Sequence, residues 1–261
     1  MTAARLLRFV GRRLELPLAL LVLGLGWQVL SLRVDNSTLV PPPLAVLAAW
    51  RDMLGDDLPR DMLASLAHLS AGYGLGTTTG FLLALLCARF RAVEAIADPM
   101  MELLRPISAI AWIPIAILIF GVGRMVPIFL IFYAALFPIF VNTLAGIKQV
   151  DPSLINAARM LGASRRLVVT DVVLPAALPA VLAGARLSLG VSWMAMVAAE
   201  LVGADAGLGW RVFWYQEFFA MDRVMAVILT IGVLGYLVDA ALRALQGALT
   251  RWRPVAEAER A

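Results

Sequence analysis

At 261 residues, with 62% hydrophobic and 15% charged side chains and a mean hydropathy of +0.87, the chain has the composition of a bilayer protein and excludes an ordinary soluble domain. A net charge of +4 does not mark a nucleic-acid binder, because the arginines punctuate long apolar runs instead of gathering on one water-facing surface. One cysteine, Cys87, excludes an internal disulfide, and one histidine, His68, leaves no His/Cys metal cluster.

Arg5, Arg8, Arg12 and Arg13 form a basic N-terminal segment, 1–15, ahead of an uncharged run from Leu16 to Leu32. That run is long for a signal peptide and no small-x-small cleavage site follows it, so it reads as a retained span. Further runs, Leu63 to Ala88, Pro106 to Gly123, Met125 to Ile147, Leu178 to Val202 and Val224 to Leu242, are each close to the roughly 20 residues that cross hydrocarbon as a helix. The expectation is an all-α membrane protein of six transmembrane helices, with a membrane domain over 16–250 and a tail over 251–261.

With the N-terminus inside, 16 of the 22 Lys and Arg residues fall on the cytoplasmic side, which places both termini there. Two small-residue stripes, Gly72, Gly76, Gly80, Ala84 and Ala176, Ala180, Gly184, Ser188, Ser192, are predicted to let helices approach closely, in a homodimer as the expected assembly. Pro114 and Pro138 predict kinks in the third and fourth spans. Outside the spans, Val40 to Leu54 reads as a proline entry into an interfacial amphipathic helix carrying Leu47, Trp50 and Leu54 on one face. The segment Gly207 to Arg223 reads as an aromatic-rich loop, either a headgroup-level belt or an outer gate.

Charges inside the runs are candidates for function. Glu200 is either a functional acid or a group that snorkels or pairs at a helix end; Arg186 either attracts an anion or snorkels; Asp239 and Arg243 are spaced to pair along one helix. His68 is either a polar contact between helices or part of a path. Ser188, Ser192, Trp193 and Glu200 are the candidate pathway residues, and no residue has the context of a hydrolase nucleophile or an HExxH zinc site.

The sharpest local pattern is DPSLINAARMLGASRRLVVTDVVLP, 151–175. Asp151 is placed to cap a helix opened by Pro152, Gly162 stands where a left-handed residue is wanted, and Ser164 can cap a second helix that Pro175 would stop. Ala157, Ala158 and Leu161 share one face of small side chains suited to a partner's groove. A DNA-reading helix-turn-helix is excluded because the second helix runs into an apolar span.

NAARMLGASRR followed by VVLPAALPAVLAGARLSLG resembles the cytoplasmic coupling segment of ABC importer permeases, whose pattern is Glu-Ala-Ala, three residues, Gly, then a distal Leu-Pro. Ala157, Ala158, Gly162, Leu174 and Pro175 match it, and Asn156 stands where glutamate is usual. PISAIAWIPIAILIFGVG, FPIFVNTLAGIKQVDPSL, AAELVGADAGLGW and IGVLGYLVDAALR resemble the branch importing nitrate, aliphatic sulfonates or taurine.

The resemblance implies a type I importer fold in the bacterial inner membrane. Coupling residues Asn156, Ala157, Ala158, Leu161, Gly162, Ala163, Ser164, Leu174 and Pro175 would be gripped by a cytoplasmic ATPase dimer, and an extracytoplasmic binding protein would deliver the solute. It also implies a second copy of the chain and no catalysis in the chain itself. ATP and magnesium belong on the partner ATPase, since the chain has no P-loop of its own. A heterocyclic vitamin precursor is the alternative solute, and a passive channel or ion-coupled facilitator the alternative mechanism.

Overall fold

The computed structural model describes residues 21–34 and 39–249. The basic segment 1–15, the first residues of the expected first span and the tail 251–261 lie outside them. The described residues form helices α1 (Leu21–Val34), α2 (Pro43–Leu54), α3 (Leu58–Arg89), α4 (Arg91–Leu104), a 3-10 turn (Ala109–Trp112), α5 (Ile113–Phe120), α6 (Met125–Lys148), α7 (Pro152–Met160), α8 (Arg165–Leu167), a π stretch (Val168–Val173), α9 (Leu174–Gly203), α10 (Leu208–Glu217) and α11 (Met221–Leu249). The described residues fall into two compact units, one within 21–59 with 211–230 and the other from 60–210 with 231–249.

Four helices among the described residues are long and apolar enough to cross a membrane: α3, α6, the continuous helix Arg165–Gly203, and α11. α4 with the Ala109–Phe120 segment, bent by 89°, would make a fifth. The Pro106 to Gly123 run is therefore no single straight span. Pro114 opens α5 instead of kinking it, and α5 with its 3-10 turn rises only about 20 Å. α4, amphipathic and absent from the sequence expectation, turns Ala97 into a cluster with Ala84, Cys87, Phe140 and Leu144 while Glu94 pairs with Lys148.

α6 is the centre of the larger unit. Half of its apolar window is buried, against 22 to 28% for the other three spans, which leaves those three with apolar faces for lipid or another chain. Both small-residue stripes meet it. A Cβ on Gly76 would stand 2.6 Å from the Phe132 carbonyl, and Gly72 and Gly80 meet the Ile128 and Leu136 carbonyls equally closely. On the other side Gly146 receives Ala180, while Gly184 admits Asn142, which donates to the Pro138 carbonyl at 2.8 Å. The stripes are thus seams within one chain, not a contact between copies.

Pro175 does not stop the second hairpin helix. Helix Arg165–Gly203 runs on for 39 residues, and the wider π turn just before Pro175 gives its ring room against the preceding turn. Gly207 to Arg223 likewise contains a ten-residue helix, α10, where a loop was expected.

In the smaller unit the helix expected within Val40 to Leu54 is present as α2, which buries Val46, Ala49 and Met53 and leaves Leu44, Leu47, Trp50 and Leu54 exposed. Trp27 donates to the Pro41 carbonyl, Trp50 to Thr230, and Arg211 to Asp57.

Gly76→Leu should cost about 1–3 kcal/mol or more by overpacking the α3–α6 seam. Gly74→Leu, with nothing within 4 Å of a Cβ, should stay within about 0.5 kcal/mol. Thermal unfolding of the purified variants in detergent reads both; equal melting temperatures would show that the seam is not closed within the chain.

Candidate functional site

Three features of the larger unit carry polar or unpartnered groups: the hairpin, a cavity beside α6, and a buried carboxyl cluster. The hairpin forms as its sequence dictates. Asp151 accepts from the Ser153 amide at 2.8 Å, with Pro152 in the first turn where a missing N–H costs nothing. At the other end the Ala163 amide donates to the Ala158 carbonyl and the Gly162 amide to that of Arg159, both at 3.0 Å. This double bond pattern needs a left-handed residue, and Gly162 supplies it at φ 83°. Ser164 then accepts from the Leu167 amide at 3.3 Å and opens the long helix.

The hairpin's outer surface is apolar and bare. Met160 and Leu161 are 89% and 88% exposed, and Asn156 and Ala157 are exposed beside them. Ala158, Leu161, Gly162, Ala163 and Leu167 border a concavity of about 300 Å³. Asp171 and Val172 complete its lining, and Arg159, Arg165 and Arg166 are exposed in the same segment while Val168 is buried. Leu174 is half-buried and Pro175 exposed, both in the first turn of α9.

A second concavity, about 520 Å³, lies between the segment after α4, α6 and α9. Leu187, Val191 and Met194 form one wall, and Arg105, Ser108 and Tyr133 bring the polar groups. The Tyr133 hydroxyl is already committed to the Leu104 carbonyl at 2.7 Å, so Arg105 is the one charged side chain on this lining. That volume suits a small solute.

The pathway candidates sit on the other side of α9. Ser188 is buried and donates to the Ala135 carbonyl, Ser192 is buried with no partner among the described residues, and Trp193 packs over Gly235. Glu200 does not snorkel: it has no exposed surface. Its Oε2 accepts from Ser65 at 2.8 Å and from the Gly209 amide at 3.0 Å, and His68 Nδ1 stands 2.9 Å from Oε1. Ser65 in turn accepts from the Leu208 amide, and Asp61 accepts from that of Gly207. His68 is thereby a satisfied polar contact between helices. Arg186 pairs with Asp239 at 3.2 Å, and Asp239 also pairs with Arg243.

Asp61, Ser65 and Arg105 were missed from sequence. Asp61, Ser65 and His68 continue the face of Gly72, Gly76 and Gly80 at spacings of three and four, so the signal for the first two was present. Arg105 had none, because the 89° bend that brings its segment beside α6 is tertiary.

Residues 76–251 match the family described as "Binding-protein-dependent transport system inner membrane component". The chain belongs to this family. The permease is 37% identical over 246 residues to the taurine transport system permease protein TauC of Escherichia coli (strain K12), covering 88% of this chain and 86% of that one. It is 34% identical over 253 residues to the bicarbonate transport system permease protein CmpB of Synechococcus elongatus, covering 91% and 88%. Among solved structures, inward-facing conformations of the MetNI methionine ABC transporter share its fold, with a TM-score of 0.59, 22% identity, and coverage of 73% of this chain and 95% of that one. The protein is a multi-pass membrane permease subunit of an ABC importer, and ATP hydrolysis belongs to a separate subunit.

The Ser153 amide bond holds the Asp151 carboxyl below the usual carboxylate range. A depressed folded value means that the cap's contribution is complete above the unfolded value and is lost as pH falls through the folded one. In the intact permease labelled with 15N-serine, the Ser153 amide shift should titrate with a midpoint below that of an ordinary aspartate and stay flat in Asp151→Asn. A midpoint at or above the ordinary value would remove the cap.

Proposed function

We propose that the permease carries a small oxyanion, an aliphatic sulfonate or taurine first, with nitrate or bicarbonate in the same chemical class. The support is the class of solute named in its relatives together with Arg105, the one charged side chain on a largely apolar cavity. Two copies, each with six spans and both termini in the cytoplasm, enclose the route. Each contributes a membrane domain over 16–250 between short polar ends. The cavity face of α9 lines this route, and Ser188, Ser192, Trp193 and Glu200 on its packed face hold that lining in place.

The hairpin docks in the cytoplasmic ATPase dimer, and an extracytoplasmic binding protein delivers solute to the other side. One observation carries the coupling reading: Met160 and Leu161 are left bare on a doubly capped turn, with Arg159, Arg165 and Arg166 exposed in the same segment. A turn so well fixed with an apolar tip is a knob for a soluble partner's groove. Asn156, in the place usual for glutamate, leaves that knob its shape and removes one negative charge from its edge. Closure of the ATPases on ATP moves the hairpins, and access alternates between the two sides of the membrane.

Gly162→Val should strain the backbone by about 1–2 kcal/mol. With nothing within 4 Å of its Cβ, the effect is conformational and confined to the turn. The variant should insert and assemble, yet lose more than about tenfold of ATP-driven taurine uptake in vesicles, a cost of about 1.4 kcal/mol in coupling. Cysteines at Ala158 or Ala163 should cross-link to the ATPase in the parent and far less in the variant. Uptake by Gly162→Val at the parental rate, or no cross-link from either site in the parent, would reject the coupling role.

A further inference from the structure

Glu200 and Ser65 have no exposed surface, and Asp61 and His68 keep 2% each. Within a bilayer, such a cluster persists only where each polar atom is matched, and its retention calls for a role. Glu200, on α9, closes onto two other segments at once. Ser65 and His68 bring α3 to it, and the Gly209 amide brings the turn that leads into α10. The amides of Gly207, Leu208 and Gly209 are three successive donors at the start of α10, and three acid or hydroxyl side chains, Asp61, Ser65 and Glu200, take one each. Both glycines are required by closeness. A Cβ at Gly207 would lie 2.5 Å from Glu200 Cδ, and one at Gly209 would lie 2.7 Å from Glu200 Cβ.

Glu200 also stands near one end of the continuous helix Arg165–Gly203, whose other end is the hairpin. About 50 Å of helix separates Arg165 from Glu200, well beyond the roughly 30 Å of hydrocarbon. From this placement we infer that Glu200 is a positioning residue. It fastens the far end of α9 to α3 and to the Gly207–Gly209 turn, so that motion delivered at the hairpin reaches that turn near the opposite membrane face. The inference rests on the reading of the hairpin as the ATPase-docking element.

The hydrogen-bond pattern separates position from charge. Glutamine at 200 can keep its oxygen on Ser65 and Gly209 and turn its NH₂ to His68 Nδ1, which accepts in the other tautomer. Alanine keeps none of these bonds. Ser65→Ala removes two of the bonds with little change in volume, so it remains informative should Glu200→Ala fail to assemble.

The test uses the permease assembled with its ATPase in lipid nanodiscs, in a Cys87→Ala background, with a nitroxide at Ala163→Cys on the hairpin or at exposed Asp205→Cys beside the turn. In the parent, magnesium ATP with vanadate should change both spectra. In Glu200→Ala the hairpin label should respond as before while the turn label loses at least three quarters of its response. Ser65→Ala should at least halve the turn response, and Glu200→Gln should keep it. A full turn response in both Glu200→Ala and Ser65→Ala would overturn the inference, as would a Glu200→Gln variant as silent as alanine, since charge and not position would then matter. A silent hairpin label in the parent would instead reject the docking reading, and this inference with it.

Discussion

Lipid gives two apolar helices no hydrophobic reason to associate, so the bundle depends on how closely backbones can approach one another along α6. Gly72, Gly76 and Gly80 on α3 lie against α6 carbonyls, and on the other seam Gly184 of α9 lies against the Pro138 carbonyl of α6 while Gly146 of α6 receives Ala180 of α9. Dispersion and weak Cα–H contacts over such surfaces replace what burial provides in water. A helix pinched from both sides in this way cannot shift without opening two seams. That is why α6 can tolerate Pro138 in its interior: the hydrogen bond missing there is offset by neighbours that hold the helix from outside.

α9 solves a different problem. It runs from the hairpin to a buried acid as one element, although Pro175 and Pro179 both remove helical donors near its start. The six-residue π stretch absorbs the first of these, and the hairpin and the span become one mechanical member. Had Pro175 ended a helix, as its chemistry alone suggests, the hairpin would hang on a hinge instead of on a continuous helix.

Legibility in the sequence divides along the same line. The hairpin's caps and turn were readable to the residue because their determinants, Asp151, Pro152, Gly162 and Ser164, act within five positions of themselves, whereas the stop assigned to Pro175 was overturned by a continuous helix. α6 was readable to within one residue from hydropathy alone. The bend after α4 was not, since nothing local distinguishes a long apolar run from a short helix entered at 89°. The glycine stripes show why: periodicity names the face that packs but not its partner, and the partner here is in the same chain. Glu200 could be singled out for the cost of burying an acid, yet its solution lay 132 and 135 residues away in His68 and Ser65.

That solution explains the two glycines of the Gly207–Gly209 turn better than flexibility does. An enclosed carboxyl with two oxygens needs donors on every side, and side chains alone supplied two, from Ser65 and His68. The third had to be a backbone amide brought to 3.0 Å, an approach that a Cβ at either position would block. In return the first amides of α10, which a helix leaves without partners of its own, are satisfied inside the bundle. The acid and the helix start thus share one bond, Gly209 to Glu200, so removal of Glu200 leaves the Gly209 amide buried without it, and withdrawal of the turn costs the carboxyl its backbone donor.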